Sequence, residues 1–115
     1  MTTSNEPISF QIDCESLRDL LTQPKPPRLI DCREADELAV CAIEGAQHCP
    51  LSTWMAHWEQ WFTNQSDHVV IFCHHGVRSM RATAFLRDKG FSNVQSLDGG
   101  IDAWATVIDH SMKRY

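Results

Sequence analysis

Apolar positions along the chain come in short blocks that switch between strand-like and helix-like spacing. Ser9-Phe10-Gln11-Ile12 alternates polar and apolar residues as a short strand does. Asp13 then offers a cap for a helix through Leu17, Leu20 and Leu21, which Pro24-Lys25-Pro26-Pro27 must end. Leu29-Ile30-Asp31-Cys32 reads as a short buried strand, and Glu34 to Val40 is long enough for about two helical turns. Asp31 and Arg33 are thereby expected at the carboxyl end of a strand.

Gly45-Ala46-Gln47-His48-Cys49-Pro50 predicts a turn and a brief strand, and Ser52 or Thr53 a cap for a helix carrying Trp54, Trp58 and Trp61. Those three indoles fall at i, i+4 and i+7, the ordinary spacing of a packing face, and are assigned to packing rather than to a ligand platform. His68-Val69-Val70-Ile71-Phe72-Cys73 is rich in β-branched and aromatic residues without alternation, as a strand covered on both faces should be. It is expected near the centre of a sheet. A helix from about Ser79 to Lys89 follows, with Ala82, Phe85 and Leu86 inward and Gly90 as its stop. Val94-Gln95-Ser96-Leu97 supplies another strand, and Gly99-Gly100 breaks the chain before a helix with Ile101, Trp104, Ala105 and Ile108 on its apolar side.

Strands alternating with helices in units this short predict an α/β fold: a parallel sheet with right-handed crossovers, flanked by helices on both faces. Sites in such sheets form at the carboxyl ends of the strands, where Cys73 is expected.

Composition narrows the functional classes. With 115 residues, one domain is expected over 1–115, with an ordered core from about residue 8 to 109. The formal charge of -5 and the scattered Lys and Arg argue against a nucleic-acid partner, but leave room for a small anion at a locally positive loop. The start, Met1 to Pro7, shows neither a basic nor an apolar leader region, and no stretch is long enough to span a bilayer, so no membrane partner and a cytoplasmic location are expected. Five cysteines without a CxxC pair fit neither a disulfide framework nor a zinc ribbon, and reduced thiols are expected.

The chemistry concentrates in Cys73-His74-His75-Gly76-Val77-Arg78-Ser79. A cysteine between a strand and a helix start sits where backbone N–H groups converge and the helix end adds partial positive charge. Both favour a thiolate, the form that attacks an electrophilic sulfur. Gly76 permits the tight turn, Arg78 adds a permanent charge that either steers an anionic donor or braces the cradle, and Ser79 is a candidate helix cap. A free cysteine alone is most often a small buried hydrophobe. Strand, cysteine, glycine, arginine and helix together favour a reactive one.

On these residues the chain resembles the rhodanese-like domains over nearly its whole length. The loop matches that family's Cys-x-x-Gly-x-Arg-Ser signature. Leu29-Ile30-Asp31-Cys32-Arg33-Glu34, Glu37 and Ile43-Glu44-Gly45-Ala46 resemble its Asp-x-Arg segment, and Leu97-Asp98-Gly99-Gly100-Ile101-Asp102-Ala103-Trp104 its closing motif. Cys41-Ala42 stands where the family's Gly-His pair is usual, a departure that bears on the turn into the third strand. The resemblance implies a single-domain sulfurtransferase: Cys73 takes a sulfane sulfur from a small anionic donor such as thiosulfate, holds it as a persulfide, and passes it to a thiol, cyanide or a protein acceptor. It implies no metal or organic cofactor. Phosphatase and arsenate-reductase relatives place one more residue between Cys and Arg, whereas Cys73 and Arg78 enclose four, the sulfur version of the loop. A binding module with an inert Cys73 is the alternative of a different class.

Other residues are read more modestly. His74 and His75 are expected to point outward and to influence substrate choice more than catalysis. Asp31 and Arg33 could pair at the edge of the site and fix neighbouring loops, or be ordinary surface charge; the resemblance favours the structural role. Arg81 reads as a solvated helical arginine. Cys32 and Cys49 are read as small buried core residues, although either could receive sulfur from Cys73 or form a disulfide with it. A zinc site at Cys73, His74 and His75 is rejected, because adjacent side chains converge poorly on one tetrahedral ion.

Overall fold

The computed structural model describes residues 8–115; residues 1–7, on which the expectation of no leader segment partly rests, lie outside them. Five strands, β1 (Gln11–Ile12), β2 (Arg28–Asp31), β3 (Gln47–His48), β4 (Val69–Phe72) and β5 (Val94–Leu97), form one sheet in the order β1-β5-β4-β2-β3. Every pairing is parallel. The fully buried run Val69–Phe72 takes the centre, as its unbroken apolar character requires. Each such side chain removed from water is worth about 1.5–3 kcal/mol, so this strand anchors the core.

Five helices cover the sheet: α1 (Cys14–Leu21), α2 (Ala35–Leu38), α3 (Trp54–Trp61), α4 (Val77–Asp88) and α5 (Gly100–Val107). Side-chain alternation divides the core between them. Leu29, Val70, Phe72 and Leu97 face α1 and α5, through Leu17, Ile101 and Trp104. Ile30, Cys32, Val69, Ile71 and Cys73 face α3 and α4, through Trp54, Ala82 and Leu86. The indole face of α3 is packing, with Trp54 buried and Trp58 and Trp61 laid against the same cluster. Asp13 caps α1, its Oδ1 accepting from Ser16 N at 2.7 Å.

Several boundaries differ from expectation. α2 is one turn: the carbonyl of Glu37 within it and that of Cys41 beyond it accept from the Arg33 guanidinium, at 3.3 and 2.8 Å, and the chain turns to reach it. Thr53 holds the N-cap position of α3, as one of the two expected residues, but its side chain makes no capping bond: the helix is entered through a 3-10 turn over Leu51–Thr53, in which Thr53 Oγ1 donates back to Pro50 O. α4 starts two residues before Ser79, with Gly76 as its N-cap residue. Ser79 therefore does not cap it; it lies inside the first turn. The chain past residue 109 is also packed, Arg114 against Asp102 and Tyr115 against Arg33 and Glu37. No helix among the described residues is long and apolar enough to cross a membrane.

Candidate active site

Cys73 is the first residue past β4, at the carboxyl edge of the sheet, and is 1% exposed. The chain then bends back so that two amides donate to its sulfur, Gly76 N at 3.1 Å and Ser79 N at 3.4 Å, with Ser79 Oγ at 3.5 Å. Gly76 makes that bend at φ +111°, a conformation L side chains rarely adopt. Ser79 Oγ also lies 2.7 Å from Ser96 Oγ and donates toward Gly76 O at 3.1 Å. Ser96 is fully buried on β5.

The loop is held from behind by α5. Ile101 N donates to Cys73 O at 2.8 Å and Asp102 N to His74 O at 3.0 Å. These helix-start donors have no partner within α5 and are satisfied by the loop carbonyls. With its carbonyls turned toward α5, the loop presents its amides to Sγ. Gly100 makes the approach possible, since a Cβ there would meet Cys73 O and His74 O at 2.5 Å.

Arg78 does not reach over the sulfur. Its guanidinium forms a two-pronged pair with Glu37, at 2.6 and 2.8 Å, tying α4 to α2. Of the two roles considered for Arg78, bracing the cradle is the one its geometry serves. Arg78 holds the Glu37 carboxyl down to about 2 against the opposing effect of burial, helped by the Tyr115 hydroxyl. Arg33 is fully buried and pairs with Asp31 at 2.7 Å, while its other donors reach Cys41 O, Glu37 O and the Tyr115 hydroxyl. The expected Asp31–Arg33 pair is thus present, and it fastens three segments around the end of β2.

The two histidines part ways. His75 is exposed, with Nδ1 3.9 Å from Asp102 Oδ2. His74 does not splay outward as expected: its ring stacks on Tyr115 with centroids 3.8 Å apart. Among the described residues its buried Nε2 has no hydrogen-bond partner. Val77 projects into solvent from the first residue of α4. Arg81 is exposed on the same helix, outside the contacts of Cys73.

Electrostatically the site favours a thiolate. The Cys73 thiol is held well below the ordinary range, first by hydrogen bonding with the Cys32 thiol, against burial, and then by Ser79 and the Gly76 and Ser79 amides. Cys32 is pushed up by that same contact and by its own burial. Cys14 and Cys49, away from the cradle, are raised by burial to about 11. Sequence reasoning missed Ser96 and Tyr115. A hydroxyl within the otherwise buried β5 was a signal for the first; nothing in the tail pointed to the second.

A sulfur seated in a loop of inward amides at the edge of an all-parallel sheet defines a class of cysteine-centred anion sites. The comparisons agree on the family. The family model for the rhodanese-like domain matches residues 13–106, and the chain belongs to that family. Its relatives include sulfurtransferases: it is 30% identical to thiosulfate sulfurtransferase GlpE of Vibrio cholerae, over 83% of this chain and 87% of that one. It is 28% identical to maize adenylyltransferase and sulfurtransferase MOCS3-2 over 95% of its own length, but spans only 24% of that larger protein. Among solved structures, the human single-domain sulfurtransferase TSTD1 superposes with a TM-score of 0.74 at 26% identity, covering 86% of this chain and 97% of that one.

Proposed function

We propose that the chain is a rhodanese-type sulfurtransferase with Cys73 as nucleophile and sulfur carrier. The observation that carries this reading is the pair of amides, Gly76 N and Ser79 N, directed at a sulfur whose thiolate form is favoured. The thiolate attacks the outer sulfur of thiosulfate, an S–S bond forms to Cys73, and sulfite leaves with the electrons of the broken bond. An acceptor thiol then attacks the outer sulfur of the persulfide and restores the Cys73 thiolate.

The Val77 and Arg78 amides belong to the first turn of α4, whose N–H groups lack intrahelical acceptors, and they are assigned to the outer, anionic sulfur. His74 and His75 border the approach and are assigned to donor choice. Asp31, Arg33 and Arg78 support the cradle without touching the reacting atoms. The sulfurtransferase relatives support a small anionic donor and a thiol acceptor, free or on a protein. Free thiols at all five cysteines suit a reducing compartment such as the cytoplasm.

The test is intact mass after incubation with thiosulfate, for the parent and Cys73→Ser, followed by a thiol acceptor. One added sulfur on the parent only, lost to the acceptor, is expected. No gain with thiosulfate or with a persulfide donor would overturn the reading in favour of a binding module.

A further inference from the structure

Cys32 ends up beside Cys73 through the pairing of β2 with β4. Ile30 is opposite Ile71 and Asp31 opposite Phe72, and Cys32 N extends the ladder by donating to Phe72 O at 3.0 Å. The next rung sets Cys32 opposite Cys73. Both side chains point to the α3–α4 face, in one core cluster with Ile30 and Ile71. Adjacent strands lie about 4.7–4.9 Å apart, inside the Cα separation of roughly 4.4–6.8 Å that disulfides bridge. The proximity of the two thiols is felt in both titrations, Cys73 being lowered and Cys32 raised. Cys49, the other cysteine of this cluster, follows β3 on the far side of β2, with its N–H donating to Asp31 O.

We propose that Cys32 is a resolving thiol: when a hydroperoxide oxidises Cys73 to a sulfenic acid, Cys32 condenses with it and closes an intramolecular Cys32–Cys73 disulfide. In the first step the Cys73 thiolate attacks one oxygen of hydrogen peroxide, the O–O bond breaks, and the departing oxygen takes up a proton as water. In the second, Cys32 gives up its proton and attacks the Cys73 sulfur. The S–O bond breaks, the hydroxyl leaves with that proton as water, and the S–S bond forms. The peroxide is reduced by two electrons, one lost from each sulfur in the final disulfide.

The electrostatics also favour this order. While Cys73 is a thiolate, hydrogen bonding with it, burial and its charge together keep the neighbouring Cys32 protonated. Sulfenylation removes the thiolate's share of that effect and makes the Cys73 sulfur electrophilic, so Cys32 gains reactivity when there is something to resolve. A disulfide can be returned to thiols by reductant, whereas the sulfinic acid that a lone Cys73 would reach cannot be. The pair thus protects the same sulfur on which the proposed activity depends, by a chemistry that requires no sulfur donor.

The experiment treats the chain with an excess of hydrogen peroxide and maps peptides without reduction, for the parent, Cys32→Ala and Cys49→Ala. The parent and Cys49→Ala are expected to lose two hydrogens in a Cys32–Cys73 cross-link and to recover fully reduced Cys73 with dithiothreitol. Cys32→Ala is expected to accumulate Cys73 sulfinic acid that dithiothreitol does not reverse. Cys73 sulfinic acid with a free Cys32 in the parent, or a cross-link from Cys73 to any other cysteine, would overturn the proposal without recourse to a variant. Thiosulfate loading of the same parent preparation separates the two readings. Loading without the cross-link removes only the resolving role, and the cross-link without loading removes only sulfur transfer.

Discussion

Gly100→Ala isolates the contact that orients the loop. Gly100 has φ +62°, and an added Cβ would lie 2.5 Å from two backbone carbonyl oxygens, Cys73 O and His74 O, neither of which can swing aside as a side chain does. The left-handed conformation alone costs an alanine about 1–2 kcal/mol. Relieving the overlap requires α5 and the loop to separate by the better part of an ångström, which breaks the bonds from Ile101 N and Asp102 N. Each is worth about 0.5–1.5 kcal/mol, so the expected loss is about 2–5 kcal/mol in all. Gly45→Ala is the matched control: its φ is +88° and a Cβ there meets nothing within 4 Å, so it should lose only the conformational part. Urea unfolding gives the stabilities, and the pH dependence of Cys73 alkylation by iodoacetamide reports whether the amides still address the sulfur. The alkylation midpoint should rise in Gly100→Ala and stay put in Gly45→Ala. Equal losses in the two variants, or an unmoved midpoint in Gly100→Ala, would refute the claim that α5 orients the loop.

Three further outcomes follow from the same geometry. Because the Cys73 thiol is lowered, its alkylation should run at plateau through neutral pH and fall only in acid, and Ser79→Ala should move that fall upward; Cys14 and Cys49, raised to about 11, should stay unlabelled at neutral pH. Glu37 is lowered from 4.5 to about 2, so its pairing stabilises the fold fully above 4.5 and loses that contribution as pH falls toward 2; Glu37→Gln should flatten the acid side of the stability curve in that window, read by denaturant unfolding. Arg33→Met should cost about 3–5 kcal/mol by thermal or urea unfolding, because it strands the buried Asp31 carboxylate.

The chain's own pattern determined the α/β class, the central place of Val69–Phe72 and the position of Cys73 at a strand's end. Each follows from local spacing: an unbroken apolar run must be covered on both faces, and a glycine-containing turn before a helix must bring amides together. The packing role of the Trp54 face was legible for the same reason, since i, i+4 and i+7 spacing specifies a face whatever it meets.

What only tertiary structure decided are the contacts between segments far apart in the chain. From sequence Arg78 suited either a donor or the cradle, and the choice fell to the cradle only because Glu37, on another helix, takes both of its prongs. Ser79 looked like a cap because hydroxyls commonly are caps, but Gly76 took that place and Ser79 turned inward to Cys73 and Ser96. His74 lies under Tyr115, the last residue of the chain. Cys32 and Cys73 became neighbours only when β2 registered against β4. Periodicity says which face of an element is buried, but the partner of a polar or reactive group depends on which elements the sheet order sets side by side.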